Sequence, residues 1–296
     1  AIHVLYASAP GSEDQKNANS KLISLQRTNE AWQISLQLVS SSSNYQTQLF
    51  GAQTLILKVH EHWGSLDAKG KANVPPTLLS QIHSFLSQGK ATKEGGNLIL
   101  EKLTKAYSAS CVRTFPVSYP SFVSDVAALL SPSPQNPTLL RAVLDILRHF
   151  PEEMGIVHIS SSQRTNMENL FLSQASEKII SIGRFCLLER GRERGEWEQV
   201  RASVYTCLSM WLEGLAVSED LVRALFGFIQ PAVQAIVDGQ ENECEGALDF
   251  LLAYFSVLPA SDSATFQDVI QNISPLFKKY ESCKETDEDT CVDLMR

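Results

Sequence analysis

Apolar residues three and four positions apart recur from end to end of this chain, and nowhere do apolar and polar residues alternate convincingly enough for a strand. Such spacing lays a stripe of side chains along one side of an α-helix, whereas a half-buried strand needs a period of two. Ser, Asn, Asp, Pro and Gly punctuate the stripes and end each helix after a few turns. The chain therefore reads as all-α. The pattern predicts helices over 1–8, 13–27, 29–40, 44–63, 75–89, 94–113, 119–131, 137–149, 165–189, 196–215, 218–237, 241–257 and 262–280, with a partial one from 286. Pro231 falls inside an apolar helical pattern and predicts a kink. The 131–137 segment, Ser-Pro-Ser-Pro-Gln-Asn-Pro, predicts a stiff turn, because proline removes amide donors and biases the preceding residue away from α.

Paired in order, these helices make about six hairpins and the start of a seventh, recurring at roughly 40 residues, the period of HEAT and armadillo arrays. One hairpin cannot cover its own apolar sector, so its neighbours on either side must. Stacking then gives an α-solenoid, a superhelical arch of antiparallel helix pairs with a continuous core. In such an array, function belongs to the faces that stacking leaves free.

Composition narrows the partners. A chain of 296 residues with 44% hydrophobic and 20% charged residues can bury a core. The net charge of -8 and pI near 5.3 repel a phosphate backbone or an anionic membrane and suit basic partners. Arg190, Arg192 and Arg194 alternate with Glu189, Glu193 and Glu196, which makes that loop a solvated spacer rather than a nucleic-acid track. No apolar run is read as reaching the roughly 18 residues of a membrane span. Neither nucleic acid nor membrane is an expected partner.

The six cysteines stand far apart, without a C-x-x-C pair or a histidine at ligand spacing, and predict a reduced chain in cytosol or nucleus. Ala7-Ser8-Ala9 mimics a signal-peptidase site but lacks a basic leader. A start without Met, and an acidic stretch (Glu285, Asp287, Glu288, Asp289) followed by a new helical pattern, suggest a piece of a longer protein.

Chemistry has no foothold. The chain holds no G-x-S-x-G elbow, no glycine-rich phosphate loop and no H-E-x-x-H. His60 and His62, two residues apart, point to different sides of a helix and have no Cys or third His nearby. The expectation is a binding protein, not an enzyme, with no cofactor and no metal.

The free faces can be sought by angle. Over Tyr45 to Trp63, Leu49, Ala52, Leu55, Ile56, Val59 and Trp63 share one broad side, while Phe50 and Leu57 lie nearly opposite. This helix packs on two sides. Between them runs a narrow strip of Thr47, Gly51, Thr54 and Lys58, edged by Glu61 and His62, with Gly51 allowing close approach. Over Glu94 to Arg113, Ile99, Leu103, Ala106, Tyr107 and Ser110 face inward and leave Glu94, Glu101, Lys105 and Ser108 outward.

Several landmarks in order resemble the karyopherin-β (importin-β) superfamily, and within it the branch containing importin-13 and transportin-SR. Ala31-Trp32 with Leu36 and Leu38, then Gln48-Leu49-Phe50-Gly51-Ala52 with Leu55, Lys58 and Trp63, is similar to that family's N-terminal signature. Tyr119-Pro120-Ser121-Phe122 resembles a Trp-Pro helix start with Tyr for Trp. The run from Leu144 to Phe150-Pro151-Glu152-Glu153 resembles a leucine-rich helix ending in Leu-Pro-Glu-Glu, with Phe for the last Leu. Cys207-Leu208-Ser209-Met210-Trp211 with Gly214 is similar to a Cys-x-x-Ser-Trp element carrying one extra residue.

The resemblance implies a HEAT-repeat nuclear transport receptor (importin or exportin) that shuttles between nucleus and cytoplasm. Its partners are Ran-GTP, protein cargo and nucleoporin Phe-Gly repeats. It implies importin-β N-terminal-type repeats over 1–113 and further HEAT repeats over 114–296. By position it nominates Gly51, Thr54, Lys58, Glu101 and Lys105 for the face that meets Ran. The alternative is a HEAT-repeat scaffold that binds proteins without sensing a GTPase.

Overall fold

The computed structural model describes residues 1–42, 44–130, 135–190, 193–239, 241–258, 267, 271, 273 and 274, and among these helix is the only regular structure. The chain divides into two compact units, Ala1–Met167 and Glu168–Arg296. The first contains α1 (Ile2–Ala7), α2 (Glu13–Arg27), α3 (Ala31–Ser41), α4 (Tyr45–Glu61), α5 (Ala68–Ser87), α6 (Gly96–Val112), α7 (Phe122–Ala128) and α8 (Pro137–Ile156). The boundary falls within α9 (Ser161–Gly183). The second unit continues with a π-turn (Arg184–Glu189), α10 (Glu196–Gly214), α11 (Glu219–Leu225), α12 (Ile229–Asp238) and α13 (Glu241–Val257).

Short polar side chains set the helix starts. Ser12, Asn44, Asp67, Asn136 and Ser218 each accept a hydrogen bond from a backbone N–H in the first turn of α2, α4, α5, α8 and α11. Each thereby satisfies a donor that the helix cannot, a contribution of about 1 kcal/mol. The hairpins α3–α4 and α5–α6 stack so that α4, α6 and α8 lie side by side, α6 in the middle. Their shared core is apolar and aromatic: Phe122 stacks on Phe150 at 4.9 Å between ring centres, with Phe115 and Tyr107 against them. Tyr119 and Phe150, the two departures from the family pattern, are both buried here, and the Tyr119 hydroxyl donates to Asp125.

In the second unit, α10 packs along α13, with Tyr205 against Phe250, and α12 packs on α13 as well. Arg201 is buried and organises one end. Its Nε donates to Glu243 at 2.7 Å, and its Nη1 donates to the carbonyls of Arg190 and Glu193. Arg190 and Glu193 of the mixed-charge segment are thus tied down from inside, and the Arg190 guanidinium lies over the rings of Phe185 and Trp197.

Most helices fall where the apolar spacing puts them; four departures have physical causes. Helix α5 starts at Ala68, not 75, because Asp67 caps it and Leu78, Ile82 and Phe85 anchor it despite Pro75 and Pro76 inside. Helix α8 runs on through Pro151 to Ile156 rather than stopping at 149. The helix expected over 218–237 is two, joined by a 3₁₀ turn at Phe226–Phe228. Pro231 sits in the first turn of α12, where its missing N–H costs nothing, so the break precedes it.

The fourth concerns membrane character. The stretch Glu219–Asp238 is long and apolar enough to cross a membrane by length and composition, contrary to the expectation of no such run. In the fold its Leu221, Leu225, Phe228, Ile229, Val233 and Ile236 are buried within the unit. Residues 131–134 of the stiff turn expected over 131–137, most of the helix expected over 262–280 and the one from 286 lie outside the described residues, while Pro137 opens α8.

Candidate partner-binding face

The two polar strips picked out by helical angle have different fates. On α4, Gly51, Thr54 and Lys58 are all buried, and the strip expected to be free is covered by α2 and α3. A Cβ on Gly51 would stand 2.9 Å from the Ser35 carbonyl oxygen and 3.0 Å from Leu38 Cβ, so glycine is what lets α3 and α4 meet. Thr54 donates to the Phe50 carbonyl and accepts from Gln26 of α2 at 3.0 Å.

Lys58 donates to the carbonyl of Thr28 at 2.9 Å, at the C-terminal end of α2. There the partial negative charge of unpaired carbonyls favours a cation. Its ammonium also lies 5.9 Å from the centre of the Trp32 ring. Burial lowers the Lys58 pKa, and the nearby Glu30 carboxylate partly opposes that. Lys58 is a staple between helices.

On α6 the reading holds in part. Glu101 and Lys105 reach the surface, but Ser108, expected outward, is buried and donates to the Ile146 carbonyl of α8. Lys105 does not stand alone. Its Nζ donates to Glu152 Oε1 at 2.5 Å and lies 3.9 Å from Glu153 Oε1, both on α8. Glu101 pairs with the adjacent Lys102 at 2.9 Å.

Around Lys105 gathers a polar ridge spanning α4, α6 and α8. Glu152 also accepts from His149 Nδ1 at 2.9 Å, and these two partners hold its carboxyl far below the usual range, at about 2, against the opposing effect of burial. Glu153 is fully buried, and its Oε2 accepts from His60 Nε2 of α4 at 2.8 Å. Arg113, at the end of α6, is pushed down by burial, while the Glu153 charge pulls it back up. Asp145, about two helical turns before Glu152 on α8, faces Arg148 at 3.3 Å and is raised by burial.

Glu152, Glu153, His149 and His60 were not singled out from the sequence as face residues. The signal lay in Asp145, Arg148, His149 and Glu152, spaced i, i+3, i+4, i+7 on one side of α8. Reading α8 as ending before Pro151 hid it. Among the described residues, no group of three or more His, Cys, Asp or Glu could hold a metal ion. Cys111, Cys186 and Cys244 are free thiols, and burial raises Cys186 to about 12.

The arrangement is suited to recognition. A ridge of polar and oppositely charged groups drawn from α4, α6 and α8 is geometrically fixed and nearly self-neutralised. Such a surface can discriminate between charged groups by where they lie rather than by net attraction.

Comparison with known proteins agrees with this organisation. Residues 96–251 match the family model described as Exportin 1-like protein, and residues 18–89 match the Importin-beta N-terminal domain. The chain is 26% identical to Importin-13 from Bos taurus and 27% identical to Importin-13 from Homo sapiens and Rattus norvegicus, in each case over 80% of its own length. It spans about a quarter of those relatives, 25% of each.

Proposed function

The chain belongs to the karyopherin-β family of nuclear transport receptors, and from that premise we propose that it is the GTPase-sensing part of such a receptor. On this reading it binds Ran-GTP through the ridge on α6 and α8, with Glu101, Lys105 and Glu152 at the contact. Gly51, Thr54 and Lys58 act behind that face, holding α4 against α2 and α3. The receptor carries protein cargo through the nuclear pore, engages nucleoporin Phe-Gly repeats and shuttles between nucleus and cytoplasm. It works by binding, with no reaction of its own.

The observation that carries the proposal is the coincidence of two things. The Importin-beta N-terminal and Exportin 1-like matches follow each other along 18–89 and 96–251, and the α6–α8 ridge is a fixed charged surface within that span. Ran-GTP and cargo would then share one array, each changing the affinity for the other by a reciprocal coupling of about 1 to 3 kcal/mol.

The test is binding of the purified chain, and of the full-length receptor, to Ran loaded with a nonhydrolysable GTP analogue or with GDP. Strong preference for the GTP form supports the proposal. Equal or absent binding by folded full-length receptor contradicts it and favours the scaffold.

A further inference from the structure

In a helical-repeat array each hairpin normally touches only its neighbours. The bond from His60 to Glu153 breaks that rule, because it joins α4 to α8 past the intervening α6. With interaxial distances of about 8–10 Å, a flat layer would set the axes of α4 and α8 roughly 16–20 Å apart. With the side chains fully extended, the imidazole, the carboxylate and the bond between them reach about 16 Å from axis to axis, so they close that gap only at its short end or where the two helices lean toward each other on this side. The bond therefore requires α4 and α8 to stay drawn together across α6 on this side, and it is lost when they spread or flatten.

Glu153 makes that loss costly. Its carboxylate is fully buried, Oε1 has no hydrogen-bond partner, and the nearest cation to that oxygen, Lys105 Nζ, stands 3.9 Å away. His60 supplies the hydrogen bond to the other oxygen. Without it, a buried carboxylate would be left with no donor, which is strongly unfavourable unless a substitute arrives. His60 is by contrast a quarter exposed, at the last turn of α4, and free to move away.

We infer that His60 and Glu153 form a latch that holds α4 and α8 drawn together, bending the α4–α6–α8 layer, and that the layer relaxes when the latch opens. The inference rests on these side chains alone and does not depend on the proposed function.

The experiment measures the distance between two spin labels carried by unnatural amino acids at the exposed positions Glu61 and Ile156, which leaves the native cysteines in place. In His60→Ala the distribution should broaden and lengthen by about 2 Å or more, the scale of helix shifts at packed interfaces, with helicity retained. His60→Gln, which keeps an amide donor for Glu153, should restore the wild-type distribution. An unchanged distance in folded His60→Ala, or no rescue by His60→Gln, would overturn the latch. So would loss of folding in His60→Ala, because His60 would then be holding the fold rather than the bend.

Discussion

Helices α4 and α6 carry the same sequence signature, a polar strip on a helix packed on its other sides, yet the two strips end in opposite environments. On α4 the strip is roofed by α2 and α3, and its lysine becomes a staple to the end of α2. On α6 the strip lies against α8, and its lysine joins a charged ridge that still reaches solvent. The difference lies in the neighbours. A polar residue at a free angle marks where a hydrogen-bonding partner is needed, and that partner can be another helix of the same chain as readily as another protein.

The contrast can be broken most severely at Gly51. Replacing it with Val forces a branched side chain against the Ser35 carbonyl and Leu38, and should destabilise the fold by about 3 kcal/mol in denaturant unfolding. A Gly51→Val variant as stable as wild type would mean that α3 and α4 are not in close contact. Lys58→Met comes next. It keeps the aliphatic stem but deprives the Thr28 carbonyl of its donor, a loss of about 1–2 kcal/mol in the same measurement.

Lys58 has a pH signature too. Its pKa is lower folded than unfolded, so between those values the unfolded chain binds more protons. Wild type should thus gain stability relative to Lys58→Met as pH rises toward the ordinary lysine value. A constant difference across that range would deny the desolvation of the ammonium.

Smaller effects belong to the ridge. Glu152 titrates at about 2 folded against 4.5 unfolded, so its contribution is complete above 4.5 and is lost as pH falls toward 2. Acid titration of stability should accordingly be shallower in Glu152→Gln than in wild type over that window. Identical curves would show that His149 and Lys105 do not hold the carboxylate in solution. Least of all, Glu101→Gln removes an exposed pair with Lys102 and should shift stability by no more than about 0.5 kcal/mol.

What could be read from the residues follows the same divide. Apolar spacing and capping residues locate the helices, because both act within one or two turns. Where a helix survives proline does not follow from local rules: Pro75, Pro76 and Pro151 are outweighed by caps and buried neighbours that belong to other elements. Glu101 and Lys105 were legible as surface residues, since nothing in the chain demands their burial. Thr54 and Lys58 were not legible as buried, since their partners Gln26 and Thr28 come from a helix whose placement no wheel can give. His60 and Glu153 are harder still, being 93 residues apart and meeting only because three hairpins stack.

The claim at the centre is that the partner-facing lysine is Lys105 and not Lys58. Its most direct test makes the same substitution at both positions, Lys105→Met and Lys58→Met, and measures affinity for Ran loaded with a nonhydrolysable GTP analogue. The account predicts a loss of about tenfold, equivalent to about 1.4 kcal/mol, for Lys105→Met, and near-wild-type affinity for folded Lys58→Met. The reverse pattern, with Lys58→Met weakening binding and Lys105→Met leaving it unchanged, would contradict it.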